Sequence, residues 1–238
     1  MSTVAGISYR MVIGRRRIWL MVLLPAGLIA LAVLLRMMGS DDERSALMLL
    51  KIFGVGTMLP LLGLIAGTGV IAPEIDDGTI VHLLSKPISR PAIAVTKFGV
   101  AASLLALFGA LPAFVAAYLL VGTESGIALG FAIGAFAGGV AYAALFLLLG
   151  VITKHAVAIG IAYALIWESV VGGFVPGARN FSVQQWAQSI AYQFNTSGFF
   201  SKPSVSVGFA LIAIAIVTIG AVFWAGQRLR SFTLAGEE

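Results

Sequence analysis

Residues 126–153 read GIALGFAIGAFAGGVAYAALFLLLGVIT, an unbroken run without a charged side chain. At about 1.5 Å per residue a helix of this length reaches roughly 42 Å, more than a hydrocarbon core of about 30 Å. Neighbouring charges bracket further apolar runs at 18–35, 52–73 (ended by Pro73), 98–123 and 203–227, and a sixth at 156–178 holds one acid, Glu168. The whole chain follows this pattern, with 60% hydrophobic and 11% charged residues in 238. A soluble globule of this size could not hide that much hydrocarbon. The composition predicts an all-α membrane protein with six transmembrane helices, about 18–38, 48–72, 92–121, 127–152, 156–177 and 204–226, in a single transmembrane domain covering 1–238.

Arg15-Arg16-Arg17 ahead of the first run could introduce a cleaved leader, but 18 apolar residues exceed the usual leader core, so a retained span is expected. Before it, Val4, Ile7 and Met11 recur at helical spacing opposite Arg10, the pattern of an N-terminal amphipathic interfacial helix. Six spans with the N-terminus inside put Arg10, Arg15, Arg16, Arg17, Lys86, Arg90, Lys97, Lys154, Arg228 and Arg230 on the inner side, and only Arg36, Arg44, Lys51, Arg179 and Lys202 outside. This asymmetry predicts a multi-pass protein of the cell (plasma) membrane with both termini cytoplasmic. The net charge of +5 then reflects topology and anionic lipid rather than nucleic acid.

Chemistry is sparse. The chain has no cysteine and only two histidines, His82 and His155, neither with a helically spaced partner. No metal site or cofactor is expected, and Met37, Met38 and Met48 are assigned to packing. No phosphate-binding loop, nucleophile elbow or paired intramembrane carboxylates occur. The chain is therefore expected not to be an enzyme, and energy for uphill transport would come from a partner.

Inside the membrane three features stand out. Gly130, Gly134 and Gly138 line one face of the fourth run, and Gly63 and Gly67 do so in the second; both stripes are expected to permit close helix packing within the subunit. Pro25, Pro60 and Pro112 are expected to kink their spans. Glu168, next to Trp167, lies deep in the fifth run, either lining a translocation path or bonded to a neighbouring helix. Beyond it, Ser182-Val-Gln-Gln185 forms a capping box, followed by a face of Val183, Trp186, Ala187, Ile190 and Phe194. Short outer helices are thus expected in the outer segment 178–203, surrounded by Phe174, Phe181, Tyr192, Phe199 and Phe200.

The longest polar stretch on the predicted inner side is the loop 73–91. Asp76 and Asp77 precede Gly78-Thr79 where a helix start favours acids, Ile80, Leu83 and Leu84 share a face, Pro87 ends the helix, and Ser89 caps the span that begins at Pro91. The pattern Glu74 … Gly78-Thr79 … Leu83-Leu84-Ser85-x-Pro87-Ile88-Ser89-Arg90, with Lys97 seven residues on, resembles the first cytoplasmic loop of the ABC type-2 permeases. These are the membrane subunits of ATP-binding-cassette exporters. The layout of spans, surface helix and outer segment is similar over the whole chain, the motif over about 25 residues; Thr96 stands where glycine is common in the family.

The resemblance implies a cytosolic coupling helix in which Glu74, Asp76, Asp77, Gly78, Thr79, Leu83, Leu84, Pro87, Ser89 and Arg90 dock an ABC ATPase subunit. It further implies a second permease copy, as a homodimer or alternatively a heterodimer. A self-contained secondary transporter or channel should show internal repeats and several buried ionisable groups, whereas Glu168 stands alone and the halves show no repeat. A membrane scaffold without transport is the third alternative. The transported substrate is not encoded in any motif.

Overall fold

A computed structural model describes Gly6, Ser8, Tyr9 and residues 17–76, 89–171, 177–196 and 198–230. Those residues form helices and no strand. We number the α-helices α1 (Arg17–Met37), α2 (Glu43–Leu49), α3 (Leu59–Gly69), α4 (Ala72–Asp76), α5 (Arg90–Leu105), α6 (Leu111–Val121), α7 (Ile127–Ile152), α8 (Ala156–Ala162), α9 (Val183–Gln193) and α10 (Val207–Arg230). Wider π-helical turns, Leu50–Met58 and Ala106–Ala110, join α2 to α3 and α5 to α6, and a third, Tyr163–Val171, extends α8.

Two of these π turns have a local cause. Pro60 and Pro112 stand at the starts of α3 and α6, directly after them. A proline ring clashes with the carbonyl four residues back and offers no N–H. The turn ahead widens, and the Leu59 and Leu111 amides donate to the Gly54 and Ala106 carbonyls, five residues earlier. The helix continues without a break in the span.

Five helical stretches among the described residues are long and apolar enough to cross a bilayer: Ile18–Met37, Glu43–Ile75, Arg90–Val121, Ile127–Ile152 and Val207–Leu229. The fifth of the six expected spans differs. Its apolar helix Ala156–Glu168 is short, and after the π segment the chain comes back through a 3₁₀ turn, Ala178–Phe181, into α9. The reason is Glu168: a carboxylate at that depth needs hydrogen-bond donors that lipid lacks, and α9 brings them.

At the centre stands α7, with α3, α5, α6, α9 and α10 packed around it, while α1 lies against α6. The glycine stripes decide how closely these neighbours approach. A methyl group on Gly63 would come 2.7 Å from the Tyr142 Cβ, and one on Gly67 the same distance from the Phe146 Cβ, so α3 and α7 touch nearly backbone to backbone. Gly130, Gly134 and Gly138 seat α9: added methyls would meet the Ala191 carbonyl at 2.5 Å, the Ala187 carbonyl, and the Ala187 side chain at 3.0 Å. The stripe on the fourth span therefore packs within the subunit.

Because Gly126 meets Phe194 and Gly138 meets Val183, α9 runs antiparallel to α7. Its N-terminus lies about 17 Å below the Ile127 end of α7, by eleven residues of 1.5 Å rise. The face Val183, Trp186, Ala187 and Ile190 is buried, so α9 is inserted into the bundle rather than laid on its surface. By contrast Trp19, Leu23, Ile219, Phe223 and Trp224 of α1 and α10 are exposed, as lipid-facing helices require. Gly6, Ser8 and Tyr9 are helical, with Ser8 buried; the rest of the expected surface helix lies outside the described residues.

Candidate functional site

Helix starts and ends gather α1, α4, α5 and α10 at one end of the bundle, marked by Arg17, Asp76, Arg90 and Arg230. We call this the basic end. There Lys97, two turns into α5, is completely buried among apolar side chains. An ammonium in such surroundings must find acceptors. It donates to the Glu74 carboxylate at 2.8 Å, to the Val70 carbonyl, and to the Ser8 hydroxyl at 3.4 Å. Val70 is the C-cap of α3, where carbonyls have no intrahelical partner and the helix dipole is negative. Three acceptors from two parts of the chain, the end of the second span and the N-terminal segment, thus meet one cation, and Tyr9 adds a bond to Ser103, six residues further along α5.

Arg90 serves the last helix. Its Nη1 donates to the Leu229 carbonyl at 3.0 Å, in the final turn of α10, where a cation is favoured. Alongside, a methyl on Gly226 would come 3.1 Å from the Pro91 Cα, so α10 and the start of α5 lie in close contact. Ser89 stands at the N-cap of α5 with extended backbone but makes no side-chain cap bond.

Of the residues expected to form the docking element, Glu74, Ser89 and Arg90 are found at this end, and Asp76 ends α4. Asp77, Gly78, Thr79, Leu83, Leu84 and Pro87 lie outside the described residues. Lys97 was not among the expected site residues. The signal for it was present: a lysine inside the expected span 92–121 must pair, and Glu74, with Asp76 and Asp77 just after it, stands at the end of the preceding span.

A second polar junction lies inside the bundle. Glu168, 1% exposed, accepts from the Tyr163 hydroxyl at 2.7 Å, the Ser182 hydroxyl at 2.6 Å, the Val183 amide at 3.1 Å and the Gln184 amide at 3.2 Å. The two amides belong to the first turn of α9, where N–H groups lack partners and negative charge is favoured. Ser182 caps the same turn through Gln185, at 3.3 Å, as the capping box leads one to expect. The Trp167 indole donates to the Phe181 carbonyl at 3.2 Å and the Trp186 indole to the Asn180 carbonyl at 2.8 Å, fastening the 3₁₀ turn from both sides. These bonds tie Glu168 and Trp167 to the start of α9 and to the 3₁₀ turn that leads into it.

Near the opposite end, Phe200 stacks on Phe131 at 5.7 Å and meets Tyr192 edge-on at 5.3 Å. Lys51 lies over the Phe200 ring at 4.0 Å, a favourable seat for a cation within a span. Phe181 and Phe199 are exposed, and Phe174 lies outside the described residues.

Long apolar helices around a central span, with an inserted outer helix, define a multi-pass membrane protein. A family model described as ABC-2 family transporter protein matches residues 13–176, well over half the chain, and the chain belongs to that family. It is thus a membrane subunit of a transporter. No curated protein matches the sequence.

Proposed function

We propose that the chain is the permease subunit of an ABC exporter, driven by ATP hydrolysis in a separate nucleotide-binding subunit docked on the loop 74–90. The observation that carries this reading is the anchoring of that loop: Glu74 at its entry is bonded to Lys97 of α5, and Arg90 at its exit to the end of α10. A force applied to the loop therefore reaches membrane helices at both ends. In the proposed arrangement the basic end faces the cytoplasm, Leu83 and Leu84 pack on the ATPase, and the carboxylates with Arg90 set its register.

The chain then crosses the membrane six times, the fifth crossing made of two pieces: α8 with its π extension, and α9 completing the outer half. One six-span subunit supplies half of such a transporter, so two copies with two ATPases form the working unit, as a homodimer in the plasma membrane. Replacing Leu83 and Leu84 together by Asp should abolish co-purification with the ABC ATPase while leaving membrane insertion intact; an unchanged complex would overturn the reading.

A further inference from the structure

We infer that Lys97 is a positioning residue for energy coupling: it locks the entry arm of the loop, the N-terminal segment and α5 into one body that moves together. The inference rests on the docking reading given above and deepens it. Its basis is that Lys97 unites chain segments far apart in sequence, with Glu74, Val70 and Ser8 lying 23, 27 and 89 residues away.

Stability does not call for this arrangement. Burying a lysine and a glutamate costs desolvation that their attraction recovers only with good geometry, and apolar replacements of such pairs are often neutral or stabilising. What a buried pair of this kind supplies is a unique relative position: Glu74 on α4 cannot slide along α5 without leaving the ammonium stranded. The exit arm is anchored on the same helix, seven residues earlier, where Arg90 holds the α10 terminus. Movement of the intervening loop is therefore shared between α5 through Lys97 and α10 through Arg90. The Tyr9–Ser103 bond adds the N-terminal segment to the α5 body.

The absence of cysteine allows a clean test. A single cysteine replaces Phe199, which is exposed near the far end of the molecule, and its labelling by a membrane-impermeant maleimide is followed in the reconstituted complex with the ABC ATPase, with and without vanadate-trapped nucleotide. Lys97→Arg should keep the nucleotide-dependent change in labelling rate. The neutral pair Glu74→Gln/Lys97→Met should reduce it by about fivefold or more, the lower end of ordinary coupling between distant sites, at unchanged complex yield and melting temperature; Lys97→Met alone should reduce it as well, at a lower melting temperature because the Glu74 carboxylate is left buried without its cation.

If the neutral variants respond like the parent, the inference is overturned while the docking reading stands. If both fail to fold, Lys97 is a folding element and the inference falls as well. If the parent chain forms no complex with the ATPase, the docking reading fails and carries this inference with it.

Discussion

Glu168→Gln tests whether the inserted helix α9 is held by charge and acceptor count. The native carboxylate offers two acceptor oxygens to four donors, Tyr163 and Val183 on Oε1 and Ser182 and Gln184 on Oε2. In glutamine one oxygen becomes an N–H donor, so one of those pairs, a hydroxyl and an amide in either case, loses its acceptor. A buried donor left unpaired costs about 1–3 kcal/mol. The hydroxyl can rotate and the neutral amide is cheaper to bury, so the net loss is placed at about 2–4 kcal/mol. Tyr163→Phe removes a single bond and leaves three donors on the carboxylate, a loss of about 1–2 kcal/mol. Glu168→Ala strips all four and opens a cavity, and should exceed both.

Melting temperatures of the detergent-purified variants, followed by tryptophan fluorescence since Trp167 and Trp186 border the junction, should fall in the order Tyr163→Phe, Glu168→Gln, Glu168→Ala. A Glu168→Gln protein as stable as the parent would refute the reasoning, because it would mean that the four donors do not depend on an anionic acceptor.

Other expectations follow from particular contacts. Gly134→Ala should destabilise by about 1–3 kcal/mol, since the new methyl meets backbone of α9 that cannot rotate away; Gly220→Ala on α10, with open space around it, should gain about 0.5–1 kcal/mol, and thermal shifts of the same sign in both would contradict this. Arg90→Gln should cost about 1–2 kcal/mol through loss of the charged bond to the α10 terminus, with Arg90→Lys intermediate in the same assay. At the start of α2, hydrogen bonding from Ser45 holds the Asp42 carboxyl below its usual range. A depressed carboxylate stabilises at pH above its unfolded value of about 3.9 and loses that contribution as pH falls through the lower folded value. The protection of the Ser45 amide, its exchange rate divided into the rate intrinsic to that pH, should accordingly be lost only in strong acid, and protection already lost near pH 6 would contradict the assignment.

How much was legible in the chain depends on how local each cause is. The apolar runs, the cap at Ser182 and the proline positions were readable because hydrocarbon length, an unsatisfied first turn and a missing N–H each act within a few residues. Even there the response needed three dimensions: Pro60 and Pro112 were expected to kink their helices, and the structure absorbs them in π turns. Gly130, Gly134 and Gly138 announced a close neighbour without naming it. The neighbour is α9, about fifty residues further on, and no periodicity in either segment specifies the pairing. The loop 74–90, read from its motif, has only its two ends among the described residues.

Sequence by itself determined that this is an all-helical membrane protein of the ABC-2 permease type, because solvent choice is set by composition and the family by the order of its residues. Tertiary structure alone decided what the buried charges do. Glu168 meets a helix N-terminus and Lys97 a carboxylate at 2.8 Å, partners 15 and 23 residues away. Within lipid an ionised group must be satisfied by the protein, and which segment supplies the partner depends on how the helices pack.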